Sequence, residues 1–187
     1  AQEFAKSPAH PKHFLFDRAF VETEGLTDFR LAAAGLACLQ GEIQQQDEPE
    51  QWRQRFLRPE PRLRQGRDLR GVASACLDIS DGLLRDLGRL LEASSVGATV
   101  FLEKIPGLDE LSALVGEQRA VSLALTGGDD YELCFTVPRE HEARLAERVR
   151  EWSCECTRIG EISGTEGIRL MKDERETPLP APGFEHF

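Results

Sequence analysis

Asp78-Ile79-Ser80-Asp81-Gly82 places two carboxylates and a hydroxyl within a few residues, between an alternating strand-like run and a leucine-striped helix. At a strand-to-helix turn such groups reach a divalent cation and a phosphate. Hard oxygen donors suit magnesium, which keeps several waters and bridges carboxylates to substrate phosphates. The plainer account is a capped helix, with Ser80 or Asp81 accepting free backbone donors and Asp78 as an exposed strand-end acid. That account needs one cap, whereas the pentad supplies three polar side chains beside Gly82. A second acidic, glycine-rich stretch, Gly127-Gly128-Asp129-Asp130-Tyr131-Glu132, follows an apolar run. It reads either as a turn with ordinary solvent charges or as adjacent acids compensated by a cation, with Asp129 the choice for contact with a positively charged organic substrate. Together the two stretches suggest a magnesium-nucleotide site.

The elements that position them follow from periodicity. Residues 71–79 predict a buried strand that delivers Asp78 to its carboxyl end. Leu83, Leu84, Leu87, Leu90 and Leu91 mark one face of a helix that ends near Gly97. Unsatisfied amides at the start of such a helix can hold phosphate. Strands are expected at Ala98–Leu102, Ala120–Thr126 and along the alternation of Tyr131, Leu133, Phe135 and Val137, with Gly127–Asp130 as the turn between the last two. Earlier, Leu31 to Leu39 has helical spacing, with Asp28 suited to its start and Gly41 to its end. Trp52, Phe56 and Leu57 anchor a short helix. Glu140–Trp152 reads as a charged helix with Leu145, Val149 and Trp152 inward, followed by strands over Cys154–Ile162 and Ile168–Met171 and a loosening, proline-rich tail. Helices and strands with several antiparallel neighbours predict an α+β, or mixed α/β, fold with a mixed sheet flanked by helices. Neither a dinucleotide fingerprint nor a Walker A sequence is present, so a nucleotide site must be built another way.

Length and charge set the bounds. A chain of 187 residues with 40% apolar content sustains one well-packed core. Its formal charge of -10 argues against a general nucleic-acid binder. The basic strip of Arg53, Arg55, Arg58, Arg62, Arg64, Arg67 and Arg70 reads as a solvated helix face or as a place where an arginine touches a phosphate or a partner domain. Of five cysteines, Cys38, Cys76 and Cys134 lie in apolar runs and read as small buried hydrophobes. Cys154 and Cys156 form a CxC pair without further ligands at metal spacing. His141, on the charged helix, reads as a surface residue. The sequence shows no signal peptide or long apolar span, so a cytoplasmic protein without a membrane partner is expected.

At these motifs the chain resembles the carboxyl-terminal part of the thiamine-monophosphate kinase family, in the superfamily of aminoimidazole ribonucleotide synthetase. The resemblance runs from about Gly25 to Phe187. It is carried by LDISDGLLRDLGRLLEASSVGA at Leu77–Ala98, LTGGDDYELCFTVP at Leu125–Pro138, Ile159-Gly160-Glu161-Ile162 and the terminal GFEHF. It implies an aminoimidazole ribonucleotide synthetase carboxyl-terminal-domain-like fold, magnesium bound by Asp78 and Asp81, ATP contacted by Ser80, and thiamine monophosphate bound by Asp129 and Phe184. It also implies direct transfer of the ATP γ-phosphoryl group, with no catalytic side chain forming a covalent intermediate.

Family members also carry an amino-terminal α/β domain with further magnesium ligands and a GGDT segment, which forms a homodimer core. None of those motifs precedes residue 25, and Gly25-Leu26-Thr27-Asp28 stands where the family reads GTLGD. Residues 1–24 are therefore expected to be an irregular lead or the remnant of a missing amino-terminal domain, and residues 25–187 the carboxyl-terminal kinase domain. Two other readings remain: another ATP-dependent synthetase of the superfamily, and a non-catalytic ligand-binding domain.

Overall fold

The structure, a computed structural model, describes residues 18–23, 31–41, 43 and 50–181. In chain order these form β1 (Arg18–Thr23), α1 (Leu31–Leu39), α2 (Glu50–Leu57), α3 (Leu63–Asp68), β2 (Ala75–Asp78), α4 (Leu83–Ser94), β3 (Gly97–Phe101), α5 (Leu108–Val115), α6 (Glu117–Thr126), β4 (Leu133–Val137), α7 (Glu142–Val149), β5 (Glu155–Ser163), β6 (Gly167–Lys172) and β7 (Arg175–Thr177). The strands make one sheet in the order β2-β4-β1-β5-β3-β6-β7. Its pairs are antiparallel except for β3 with β6. The expected α+β fold, a mixed sheet flanked by helices, is what forms.

Alternation along β4 explains why the sheet is covered on both faces. Cys134 joins one apolar cluster and its neighbour Phe135 the other, as successive strand residues must. The larger cluster packs Leu83, Leu87 and Leu91 of α4 and the small residues Ala34, Ala37, Ala120 and Ala124 of α1 and α6 against Ala98, Val100, Ile159 and Leu170 of the sheet. Each fully buried leucine there contributes about 1.5–3 kcal/mol. The smaller cluster sets Leu145 and Trp152 against Phe135 and Val137. Trp152 Nε1 donates to Asp68 Oδ2 at 3.0 Å, joining the end of α3 to the segment after α7.

Several sequence expectations change. Ala120–Thr126 is helical, forming all of α6 after its first three residues: Ala120, Ala124 and Leu125 bury one helical face, and Gly116 precedes the first turn. A short apolar run does not by itself distinguish a helix from a strand. Residues 18–23, within the stretch expected to be irregular, form β1 between β4 and β5. The strand delivering Asp78 is only Ala75–Asp78, and it is an edge strand with Cys76 and Asp78 exposed rather than a buried one. Cys76 is thus no buried hydrophobe, while Cys38 and Cys134 are. Burial pushes the Cys134 thiol up to about 12. His141 is half-buried, and its Nδ1–H donates to the Val72 carbonyl at 2.9 Å. The short β7 pairs with β6 ahead of the proline-rich tail.

Candidate functional site

Asp78 closes β2 opposite Leu133 of β4. Past that pair the two segments leave strand geometry and yet remain laced together. The Ile79 amide donates to the Glu132 carbonyl at 2.8 Å, the Tyr131 amide to the Ile79 carbonyl at 2.9 Å, and the Asp129 amide to the Ser80 carbonyl at 3.0 Å. The pentad and the acidic turn, distant in sequence, therefore form one surface.

Two glycines permit the approach. A Cβ on Gly128 would lie 2.4 Å from the Ser80 carbonyl oxygen. Gly82 adopts φ +111°, and a Cβ there would meet the Thr126 carbonyl at 2.9 Å. Gly128→Ala should therefore destabilise the fold by about 1–3 kcal/mol, the usual range for overpacking. Gly164→Ala, with open space around it, should change stability by less than ~0.5 kcal/mol. Equal denaturation midpoints for the two variants would show that the loops do not depend on this contact.

The pentad's main support lies one turn into α4. Asp86 is buried, and its Oδ2 accepts the amides of Ser80 at 2.9 Å and Asp81 at 2.8 Å. Its Oδ1 accepts Arg89 Nη1 at 3.0 Å. The capping account is thereby reversed: α4 has no side-chain cap from its own N-cap residue, Gly82, and the donors before it are taken from within the helix. Asp81 is half-buried, and its Oδ2 lies 2.7 Å from Arg89 Nη1 and 3.8 Å from Arg85 Nε.

In the acidic turn, Asp129 (φ +66°) and Tyr131 (φ +54°) both take left-handed backbone. Such conformations cost about 1–3 kcal/mol each in residues other than glycine and persist only where surroundings hold them. Holding comes from the lacing bonds and from Glu132, whose carboxylate pairs with Arg62 through Nε–Oε2 and Nη2–Oε1, each at 2.8 Å. Both side chains are buried. Arg62 of the basic strip thus neither faces solvent nor awaits a phosphate; it is the cation that compensates Glu132. Asp129 remains exposed, and its Oδ1 accepts the Tyr131 hydroxyl at 3.3 Å. The Asp129 carboxylate, first, then burial, that hydrogen bond and the Asp78 charge raise the Tyr131 phenol above its usual range.

The structure thus brings together Asp78, Ser80, Asp81 and Asp129. Phe184 and the Gly25–Asp28 element lie outside the described residues. Sequence reasoning missed Asp86, Arg89, Tyr131 and the Arg62–Glu132 pair. Among the described residues no three acidic, histidine or cysteine side chains converge as a metal cage. Asp78 at the exposed strand end and half-buried Asp81 three residues on offer hard oxygen donors of the kind that suits magnesium, an ion commonly held by one or two carboxylates with water and phosphate oxygens as its other ligands.

Residues 28–173 match the family described as AIR synthase related protein, C-terminal domain, and the chain belongs to that family. More particularly, it is similar to the thiamine-monophosphate kinase of Salmonella typhimurium, 40% identical over 159 residues that cover 83% of this chain and 49% of that protein. Among solved structures it is similar to thiamine-monophosphate kinase from Stenotrophomonas maltophilia K279a, at 36% identity and a TM-score of 0.70 over 82% of this chain and 49% of that one. It is also similar to AaThiL complexed with AMPPCP and TMP, at 31% identity and a TM-score of 0.68 over 92% of this chain and 52% of that one. The chain spans about half the length of the curated relatives it matches. No described helix is long and apolar enough to cross a membrane.

Proposed function

We propose that this chain is the carboxyl-terminal part of a cytoplasmic thiamine-monophosphate kinase. The lacing of the Asp78–Gly82 pentad to the Asp129 turn carries this reading, because it puts metal-type and cation-type acids on one surface. Asp78 and Asp81 would hold magnesium, Ser80 would contact ATP, and Asp129 with Phe184 would receive the cationic thiazolium and aminopyrimidine of thiamine monophosphate by charge and stacking. Bound magnesium would supply charge compensation between the two phosphate groups. A terminal oxygen of the acceptor phosphate attacks the γ-phosphorus, the bond to ADP breaks, and thiamine diphosphate results. An amino-terminal domain, paired in a homodimer, would contribute the remaining nucleotide and metal contacts.

The test is formation of thiamine diphosphate from ATP, magnesium and thiamine monophosphate by the full-length protein and by this chain alone. Product from the full-length protein, with little or none from the chain, is expected. Phosphorylation of a different acceptor, with none of thiamine monophosphate, would move the protein to another ATP-dependent synthetase of the superfamily. Ligand binding with no turnover would make it a binding domain.

A further inference from the structure

Asp81, assigned above to magnesium, already has a cation beside it. The Arg89 nitrogen that lies 2.7 Å from Asp81 Oδ2 also lies 3.0 Å from Asp86 Oδ1, so one guanidinium group bridges two carboxylates. The partners differ in freedom. Asp86 is buried, with its other oxygen committed to the Ser80 and Asp81 amides. The Arg89 side chain is 54% exposed on a long flexible stem. A divalent cation arriving at Asp81 meets a positive charge in hydrogen-bond contact with its ligand, and charges of like sign at such distances repel. Arg89 can yield into water while Asp86 keeps the turn in place.

Resting on the kinase reading of this site, we infer that Arg89 is an internal counter-cation of Asp81, which a divalent metal must displace and which therefore weakens metal binding there. Asp86 anchors Arg89 and the turn together, so Asp81 stays aimed and partly neutralised before the metal arrives. Arg85, farther from the same oxygen, contributes a weaker version of the same effect.

Manganese(II) serves as the probe, without nucleotide, followed by electron paramagnetic resonance on the full-length protein. The binding lost in Asp81→Asn defines the relevant site. Arg89→Gln should bind manganese there more tightly, on the order of fivefold, the upper end of what a part-exposed ion pair is worth. Arg89→Lys, which keeps the charge, should stay near the parent affinity. Equal or weaker binding by Arg89→Gln would overturn the inference while leaving the metal site, and the kinase reading, in place. A gain in Arg89→Lys as large as in Arg89→Gln would also overturn it, since charge would not be the cause. If the parent protein shows no manganese binding that depends on Asp81, both the inference and the metal assignment fall.

Discussion

Arg62→Ala is expected to lower the unfolding free energy by about 3–5 kcal/mol, the cost of leaving one member of a buried ion pair without its partner. Glu132 is 2% exposed, so its carboxylate would lose both hydrogen bonds from Arg62 while staying out of water. Replacing both partners with apolar residues of similar size, Arg62→Met with Glu132→Leu, should recover most of that loss, because the desolvation of both charges disappears with their attraction. Urea denaturation of the parent, single and double variants at neutral pH measures this. A single variant that loses less than ~1 kcal/mol would place the pair among ordinary surface contacts. The effect reaches the site directly, since the Glu132 carbonyl receives the Ile79 amide.

The second large effect is on turnover. On the kinase function proposed above, Asp78→Asn and Asp81→Asn in the full-length protein should each lower magnesium-dependent formation of thiamine diphosphate on the order of 10²–10³-fold, the scale of removing one charge-stabilising group from a reaction centre. Folding should barely respond. Asp78 is exposed, and Asp81 gives up ion pairs with exposed arginines worth at most about 1 kcal/mol. Turnover within a few-fold of the parent would remove these residues from the metal assignment, whatever the protein's acceptor.

Much of this arrangement was legible in the chain, and the failures share a cause. The leucine stripe of α4 and the alternation along β4 are local periodicities; α4 formed where its stripe stood, while β4 formed over Leu133–Val137 and left out Tyr131, the first residue of the expected alternation. The pentad and the acidic turn announced themselves by residue type. What periodicity could not convey was partnership across long separations. Arg62 is one arginine among several, and only folding sets it against Glu132. Asp86 is one acid among the charged residues between the leucines of α4. Its position five and six residues past Asp81 and Ser80 was the available signal, since that distance returns a carboxylate to the amides that precede a helix. The run before Gly127 was misread because alanines and leucines fit either a close-packed helix or a covered strand, and what distinguishes them is packing in the folded chain, chiefly against α5 and α4. Residues 18–23 looked irregular because their pattern is clear only against neighbours far along the chain.

Among the described residues, the strand that carries Asp78 has β4 as its sole partner in the sheet. Proteins open in cooperative pieces, and borders held on one side open at lower cost than interiors. If β2 peels from β4, Ile79 and Ser80 leave with it, and the acidic turn loses its scaffold at the same moment. Ile79 is buried with the α4, α6 and β3 side chains beneath, and Asp86 of α4 holds the Ser80 amide, so such an opening strains the core as well. The selvedge that bears Asp78 is thus stitched into the fabric behind it, and a substitution in either is felt in the other.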